Sequence, residues 1–266
     1  MQFANSAASD MDVTLEIKEP VATVTIRRPS KINALRLASW QALRALVAAA
    51  DRDPAVRVIV VRGAGRHFSA GNDIAALSAF PADVAAARIF GAAWADAIQG
   101  IEDASKPVIM AIEGVCYGAA LALSLAGDVR LASANAVFSI PVAKLGALYL
   151  RSDLQRLVAT IGMGQSKKLI YSSESFGAAQ ALRIGLVEEV FPEACFEAEL
   201  GQFVETMLAR SAFTMARSKA MLRELGGGAV WRETEESLAA FAESTQCADF
   251  VEGISAFLER RTARFL

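Results

Sequence analysis

The sequence is poor in the residues that build disulfides and metal sites. Its 266 residues include only three cysteines, Cys116, Cys195 and Cys247, and a single histidine, His67. The cysteines are odd in number and far apart, so their spacing excludes a disulfide framework and a cysteine-based metal site. We therefore expect no metal, and nothing in the sequence implies a redox cofactor.

An excess of positive charge and a long apolar run are also missing. The net charge is −2, whereas a clustered basic excess is typical of proteins that bind nucleic acid or anionic membranes, so neither partner is expected. No apolar run approaches the ~20 residues of a membrane span. The mean hydropathy of +0.34 is nevertheless high for a soluble protein, which hints at apolar surface buried between subunits.

Targeting features are absent from the start of the sequence. Residues 1–12 contain no basic stretch followed by an apolar one, so secretion is not expected and the cytoplasm is the predicted location. What is present is the composition of a folded globular protein, with 54% hydrophobic and 21% charged residues. The length suffices for one large domain or a domain with an appendage.

Hydrophobic periodicity predicts strands and helices in the first two thirds of the chain. Residues 13–18 and 21–27 alternate in period two, which indicates a β-hairpin. The other predicted strands are 56–61 and 108–112, both continuously apolar, and the shorter 127–132 and 136–140. The predicted helices between them are 37–50 and 84–101.

From about Gly164 onward the strand patterns fade. The predicted helices there are 165–171, 178–184, 196–225, 230–246 and 248–260. The order of elements therefore predicts an α/β protein in which repeated β-β-α units come first and helices last. We divide it into a core of residues 1–195, which carries the site, and a helical C-terminal region of residues 196–266.

Two loops share one form, in which a buried strand leads through a turn of small residues into a helix. The first includes residues 68–74 (FSAGNDI) and the second includes residues 113–120 (EGVCYGAA). Small side chains let a ligand approach the backbone, and a helix N-terminus presents unpaired N–H groups. Two converging loops of this kind would aim two N–H groups at one oxygen and stabilise an oxyanion. The alternative is that the small residues only permit tight packing.

Two rival motifs fail in the same region. Gly63 and Gly65 begin like a dinucleotide-binding fingerprint, but its sixth position is Phe68 rather than glycine. The stretch around Ser69 is similar to a hydrolase nucleophile elbow, but the glycine required two residues earlier is His67. No third member accompanies Ser69 and His67, which disfavours a triad and favours a structural role for the histidine.

Several segments resemble the enoyl-CoA hydratase/isomerase (crotonase) superfamily. Residues 68–74 resemble its Phe-Ser-Ala-Gly-x-Asp-Ile segment, and residues 28–35 (RPSKINAL) resemble its Arg-Pro-x-x-x-Asn-Ala-Leu segment. The further matching segments are residues 107–118, 127–132, 178–190 and 257–261. The matches run in colinear order from about residue 13 to the end, so the chain is identified as a member of this superfamily.

The resemblance implies a crotonase-like spiral of β-β-α units with a helical C-terminal trimerisation region. It implies a homotrimer, or a hexamer made of two trimers. The implied substrate is an acyl-CoA thioester, with coenzyme A as part of the substrate rather than a separate cofactor. The thioester carbonyl is expected between two backbone N–H groups, which by position belong to Asn72 and Ala119, and these stabilise the enolate intermediate.

Five further positions match family positions that contact coenzyme A. Ala70, Asp73 and Ile74 match positions along the path of the adenine and the pantetheine. Phe257 and Arg260, supplied by a neighbouring subunit, match positions that hold the adenine ring and the 3′-phosphate. For these last two residues an ordinary amphipathic helix is the alternative interpretation.

The chain departs from the family's hydratases at the residues that move protons. Hydration needs one group to activate water and another to protonate the α-carbon, and the hydratases use two glutamates. The chain has Ala122 and Val142 at those positions, and Leu150 where another branch has an aspartate. None of the three side chains exchanges a proton, which disfavours a hydratase of the usual type and also the isomerases that keep the second glutamate.

Tyr149 is the ionisable candidate that remains. Residues 138–149 resemble the corresponding stretch of bacterial methylmalonyl-CoA decarboxylase, in which a tyrosine at this position lies by the substrate carboxylate. A phenol with a pKa of ~10 can orient a carboxylate or protonate an enolate, although a buried structural tyrosine is the alternative. The decarboxylase has a histidine where this chain has Asn72. Arg151 and Asp153 are outside candidates that we expect at the surface.

Three functions remain open at this point. The first is lyase or isomerase chemistry on an acyl-CoA enolate, with decarboxylation as one form. The second is an atypical enoyl-CoA hydratase that uses other residues, and the third is a CoA-thioester-binding protein with little turnover. All three need the loops of Asn72 and Ala119, so these loops do not discriminate between them, whereas a carboxylate-binding partner beside Tyr149 does.

Overall fold

A computed structural model describes residues 11–77 and 83–226, together with residues 248, 252, 256, 259 and 261–264. The strands in these ranges are β1 (Val13–Lys18), β2 (Val21–Ile26), β3 (Val58–Gly63), β4 (Val108–Ile112), β5 (Val115–Tyr117), β6 (Val129–Ser133), β7 (Val137–Ser139), β8 (Phe176–Gly177) and β9 (Glu189–Phe191). The helices are α1 (Leu37–Arg52), α2 (Ile74–Leu77), α3 (Val84–Glu102), α4 (Ala119–Ser124), α5 (Val142–Leu145), α6 (Arg151–Ser172), α7 (Ala178–Arg183), α8 (Phe196–Leu208) and α9 (Ala212–Gly226). Short 3-10 turns occupy Pro29–Lys31 and Glu193–Cys195.

The main sheet has the strand order β1-β2-β3-β4-β6-β9. β1 and β2 form the predicted antiparallel hairpin, and all the other neighbours in this sheet are parallel. The central strand β4 is buried at every residue, as expected of a parallel strand that is covered on both faces. The α/β prediction is therefore confirmed, and the structure adds that the main sheet is mostly parallel.

Helices cover both faces of the main sheet. Because side chains alternate along a strand, Ile59 and Val61 of β3 join the core under α1 and α3, whereas Val58 and Val60 join a second cluster on the opposite face. The second cluster includes Phe196 at the start of α8. The sheet is thus held rigidly between two helical layers, and its carboxyl ends carry the two loops of interest.

A small second sheet, in the order β5-β7-β8, lies beside the end of β4. β5 and β7 are parallel, and β7 and β8 are antiparallel. An isolated parallel bridge between Ser69 and Cys116 joins β5 to the loop that follows β3. This bridge brings the second small-residue loop against the first.

The predicted single helix at residues 196–225 is wrong, because two helices occupy it. α8 ends at Leu208 and α9 begins at Ala212. The Ser211 hydroxyl accepts a hydrogen bond of 3.1 Å from the Thr214 backbone N–H, which is the way an N-cap starts a new helix.

Two other elements differ from the prediction. The short strands β8 and β9 lie where the strand patterns fade, since two or three residues leave no periodicity to read. The helix predicted at 165–171 is the end of α6, which begins at Arg151 and is interrupted at Gly162, where φ is +76° and ψ is +163°.

Part of the C-terminal prediction lies outside the described residues. The predicted helix at 230–246 falls there completely. Of the predicted helix at 248–260, residues 248, 252, 256 and 259 are described, and all four have helical geometry. A trimerisation role for this region stays a prediction.

Candidate active site

The first loop is anchored by a buried asparagine, Asn33, from the Arg-Pro-x-x-x-Asn-Ala-Leu segment. Its Oδ1 accepts a hydrogen bond from the Arg28 backbone N–H at 2.9 Å, and its Nδ2 donates to the carbonyls of Ala64 and His67 at 2.9 and 2.7 Å. The Ser69 hydroxyl donates to the Asn33 carbonyl at 2.7 Å. Asn33 has a φ of +55°, a region in which asparagine is among the few tolerated side chains. The motif therefore fixes the loop that carries Asn72.

The Asn72 backbone is oriented by an isolated parallel bridge to Leu35. The Leu35 N–H donates to the Gly71 carbonyl at 2.7 Å, and the Asp73 N–H donates to the Leu35 carbonyl at 2.8 Å. In such a bridge the amide of the middle residue points to the other side, so the Asn72 N–H faces away from Leu35. No hydrogen bond within the described part of the chain uses this N–H. The Asn72 side chain accepts a hydrogen bond of 3.0 Å from Trp40 Nε1.

Two backbone hydrogen bonds fasten the second loop to the first. The Ser69 N–H donates to the Val115 carbonyl at 2.9 Å, and the Tyr117 N–H donates to the Ser69 carbonyl at 3.1 Å. His67 contributes to this junction, since its Nδ1 accepts a hydrogen bond of 3.2 Å from the Val115 N–H. The structural role predicted for the histidine agrees with this contact.

Gly71 stands where the two loops touch. Its φ is +88°, and a Cβ atom built on it would lie 2.5 Å from the Tyr117 carbonyl oxygen and 3.1 Å from the Ala119 nitrogen. A side chain at this position is excluded both by the backbone conformation and by the neighbouring loop. The glycine thus allows the amides of Asn72 and Ala119 to lie close together.

The Ala119 N–H has no hydrogen-bond partner among the residues that the structure describes, and its direction is fixed. Ala119 is the first residue of α4, so its N–H has no partner within the helix. The Gly118 carbonyl accepts two hydrogen bonds, from the Ala122 N–H at 3.1 Å and from the Tyr149 hydroxyl at 2.6 Å. Because the peptide unit is planar and trans, the Ala119 N–H points opposite to that carbonyl. Two unpaired donors on adjoining loops can stabilise one developing oxyanion.

Tyr149 is a buried residue within an aromatic cluster. Its ring meets Trp94 edge-on, with centroids 6.3 Å apart, and Trp94 stacks on Trp40 at 6.0 Å. Burial raises the pKa of the Tyr149 phenol well above its usual value, and the negative charge of Asp153 raises it further. The phenol is therefore a neutral hydrogen-bond donor, and its one proton is directed to Gly118.

Asp153 was predicted at the surface, and this prediction is wrong, whereas Arg151 is exposed as expected. The Asp153 side chain is fully buried, with Oδ1 3.1 Å from Arg156 Nη1. Its Oδ2 has no hydrogen-bond partner within the described residues. Burial raises the pKa of Asp153 to about 6, although Arg156 opposes the shift. The sequence could have predicted the burial of Asp153, because its spacing from Leu157 and Ile161 places the three residues on one face of α6.

The positions of the absent glutamates and of the absent aspartate contain only hydrocarbon side chains. Ala122 lies on α4 and is fully buried, Val142 is the half-buried first residue of α5, and Leu150 is half-buried just before α6. None of them offers a proton. The buried acid nearest to these positions along the chain is Asp153, on the first turn of α6.

The predicted coenzyme A residues fall into two groups. Ala70 is half-buried, with its N–H bonded to the Ile32 carbonyl, and Ile74 is exposed at the start of α2. The Asp73 carboxylate lies 3.0 Å from Arg28 Nη2. Burial raises the pKa of Asp73, but the hydrogen bond and charge of Arg28 and the backbone N–H groups of Ala75 and Ala76 together outweigh burial and lower the pKa. The predicted ligands Phe257 and Arg260 lie outside the described residues.

Within the described ranges, no group of three or more metal-ligating side chains occurs together. No helix in those ranges is long and apolar enough to cross a membrane.

Comparison with solved structures identifies the class of fold. An enoyl-CoA hydratase/isomerase family protein from Hyphomonas neptunium superposes with a TM-score of 0.92 at 32% identity, over 97% of this chain and 98% of that chain. The predicted crotonase-like fold is thereby confirmed. The profile of the enoyl-CoA hydratase/isomerase family matches residues 16–266, so the chain belongs to this family.

Two relatives match more than nine tenths of the chain. The crotonyl-CoA hydratase of Syntrophomonas wolfei is 33% identical over 256 residues, which cover 96% of this chain and 98% of that protein. The 2,3-dehydroadipyl-CoA hydratase of Escherichia coli is 31% identical over 248 residues, which cover 93% of this chain and 96% of that protein. Both names describe hydration of a CoA thioester.

Proposed function

We propose that the protein binds an acyl-CoA thioester with its carbonyl oxygen between the N–H groups of Asn72 and Ala119, and that it stabilises the thioester enolate. The observation that carries this proposal is the pair of unpaired amides held on adjoining loops. Each donor of such a pair contributes about 3 kcal/mol to the stabilisation of the transition state. Ala70, Asp73 and Ile74 then contact the coenzyme A part of the substrate, and so do Phe257 and Arg260.

Decarboxylation of a malonyl-type thioester is the reaction that fits these residues best. Loss of CO₂ leaves the bonding electrons on the α-carbon and forms the enolate directly, so no general base is required. The alanine, valine and leucine at positions 122, 142 and 150 are compatible with that chemistry and offer nothing for hydration. Protonation of the α-carbon by water completes the reaction, since the Tyr149 proton is already donated to the Gly118 carbonyl.

Atypical hydration is the second candidate, favoured by the names of the relatives. It requires a proton-exchanging group other than the two missing glutamates. The buried carboxyl of Asp153 is the group that the described residues provide close to Tyr149 in the chain. If the protein hydrates crotonyl-CoA, Asp153 is the first residue to substitute.

A parallel assay of three thioesters tests both candidates. Crotonyl-CoA is followed by loss of the enoyl absorbance, and methylmalonyl-CoA and ethylmalonyl-CoA are followed by release of CO₂. We expect CO₂ release and no hydration. Hydration at an ordinary enzymatic rate would overturn the decarboxylase proposal, and binding of thioesters without turnover of any of them would indicate a binding protein.

Ala119→Pro is the variant that isolates the second donor. Proline fits the first position of a helix, so the substitution removes the N–H with little strain, and Ala119→Gly serves as the control that keeps the N–H. We expect kcat to fall by about 10²–10³ in the proline variant and to change little in the glycine variant. Equal activity of the two variants would contradict the proposed role of this amide.

We also propose that the protein assembles as a homotrimer or as a hexamer of two trimers. Large apolar side chains lie at the surface of the single chain, and Leu148 and Val84 are 88% and 69% exposed. Such exposure is typical of surface that is covered in an assembly. Light scattering coupled to size-exclusion chromatography measures the mass, and a monomer would contradict the proposal.

A further inference from the structure

Three aromatic side chains connect the two donor loops behind the site. Trp40 on α1 donates from Nε1 to the Asn72 side chain at 3.0 Å, and Tyr149 donates to the Gly118 carbonyl at 2.6 Å. Trp94 on α3 lies between them, stacked on Trp40 with an interplanar angle of 18° and edge-on to Tyr149 at 85°. We call Trp40, Trp94 and Tyr149 the aromatic belt.

We propose that the aromatic belt positions the two N–H donors, so that Trp40, Trp94 and Tyr149 act on the thioester through Asn72 and Gly118 rather than by touching it. This inference rests on the proposed function of the two amides. Trp40 contacts the loop of Asn72, and Tyr149 contacts the loop of Gly118. The Trp94 ring packs against both Trp40 and Tyr149 and so connects the two contacts.

At the Tyr149 end, the hydrogen bond acts on the same peptide unit that supplies a donor. Gly118 provides the carbonyl and Ala119 provides the N–H, and the planar peptide makes the direction of one depend on the other. Donation to the carbonyl also polarises the peptide, which strengthens its N–H as a donor. The helical bond from Ala122 to the same carbonyl is longer, at 3.1 Å. Loss of the phenol hydroxyl therefore weakens and loosens the Ala119 donor.

At the Trp40 end, the indole fixes the side chain of the residue that carries the other donor. Trp40 is fully buried on α1, and its Nε1 donates the hydrogen bond that Asn72 Oδ1 accepts. The bridge to Leu35 already restrains the backbone on either side of Asn72. Trp40 adds a restraint on the Asn72 side chain from within the core. The residue that carries the backbone N–H donor is therefore held both through its backbone and through its side chain.

Trp94 provides the distinctive test, because it contacts neither donor loop through a hydrogen bond. Its Nε1 is buried and has no partner within the described residues, so its contribution is the packing of its ring against Trp40 and Tyr149. A residue that acts only through its neighbours should affect the polarisation of the bound carbonyl without changing the affinity for the thioester.

A chromophoric thioester, the CoA ester of 4-(dimethylamino)cinnamic acid, reports that polarisation. Its absorption band moves to longer wavelength when hydrogen bonds polarise its carbonyl. We expect the wild-type protein to produce such a shift on binding. Tyr149→Phe and Trp40→Phe should lose at least half of the shift while Kd changes less than threefold, and Trp94→Leu should lose part of it. Tyr171→Phe is the control, because it removes the same hydroxyl from a tyrosine that is 71% exposed.

The outcomes separate this inference from the proposed function. If the wild-type protein binds the probe without a shift, the two amides do not hold the carbonyl, and both proposals fail. If the wild type gives the shift and Tyr149→Phe retains all of it, the belt inference alone fails. Loss of turnover in Tyr149→Phe with the shift intact would instead show direct contact between the phenol and the substrate. Circular dichroism verifies that each variant is folded, and Tyr149→Phe, which keeps the ring, decides the question if Trp94→Leu does not fold.

Discussion

The buried carboxylate of Asp153 shares the guanidinium of Arg156 with a second acid, Glu102. Asp153 Oδ1 lies 3.1 Å from Arg156 Nη1, while two nitrogens of the same guanidinium contact the Glu102 carboxylate at 2.6 Å each. One positive charge therefore serves two carboxylates, and Asp153 Oδ2 has no partner within the described residues. An incompletely compensated acid of this kind makes the protein sensitive to pH.

Asp153→Asn should remove a component of stability that falls as pH rises. Burial raises the pKa of Asp153 from 3.8 to about 6, so the folded state binds the proton more tightly than the unfolded state. The contribution of this carboxyl is most favourable below pH 3.8 and is lost progressively up to and through pH 6. The full difference is on the order of 3 kcal/mol.

Urea unfolding of both proteins at several values between pH 4.5 and pH 7.5 measures this effect. The free energy of unfolding of the wild type, minus that of Asp153→Asn, should decrease across this range. The subtraction removes the common effects of the other titrating groups. Parallel curves for the two proteins would mean that Asp153 does not have a raised pKa.

Arg156→Met should be among the more destabilising single changes in the chain. It leaves Glu102 and Asp153 without the cation that they share, and removal of one partner of a buried ion pair costs about 3–5 kcal/mol. The double variant Arg156→Met/Asp153→Asn should recover part of the loss, because one of the two orphaned charges is gone. Denaturant unfolding at pH 7.5 gives both values, and a double variant less stable than Arg156→Met would contradict this account.

Gly71→Ala should separate the two donor loops. The new Cβ would lie 2.5 Å from the Tyr117 carbonyl oxygen, and φ is +88°. Gly65 is a matched control, since its φ is +74° but no atom lies within 4 Å of an added Cβ. Gly65→Ala should lose about 1–2 kcal/mol of stability from backbone strain alone. Gly71→Ala should lose more stability and, unlike the control, most of its turnover. Similar turnover in both variants would indicate that the contact of the two loops is dispensable.

The elements that the sequence predicted well are those with a long, regular period. The hairpin, α1, α3 and β4 follow patterns of hydrophobic residues, and their bounds agree with prediction to within two residues. The break between α8 and α9 depends on one capping bond at Ser211, and the strands β8 and β9 depend on pairing with distant strands. The local sequence therefore gives little indication of this helix break or of these two strands.

The candidate site also contains one part that the sequence predicted and one part that it did not. The family resemblance assigned the donor amides to Asn72 and Ala119, because the loops that carry them are contiguous segments of the sequence, and the assignment stays a prediction. The aromatic belt was not predicted, because Trp40, Trp94 and Tyr149 come from separate elements and meet through the packing of α1 against α3 and of Tyr149 against Trp94. The hydrogen bond from Tyr149 to Gly118 is likewise a result of tertiary structure, and it changes the expected role of the phenol.

Restoring the two absent glutamates tests whether their loss defines the chemistry. The variant Ala122→Glu/Val142→Glu should hydrate crotonyl-CoA, because each general acid or base typically contributes about 10²–10⁴-fold to the rate. Val142 is half-buried and should accept the change, whereas Ala122 is fully buried, so a glutamate there should lower stability and titrate at a raised pKa.

The control Ala122→Gln/Val142→Gln has side chains of the same shape without the acids. Hydration that rises in the glutamate variant and not in the control would show that the binding loops are intact and that only the proton-exchanging groups are missing. Equal hydration by the wild type and both variants would mean that this chain already has its own acid and base.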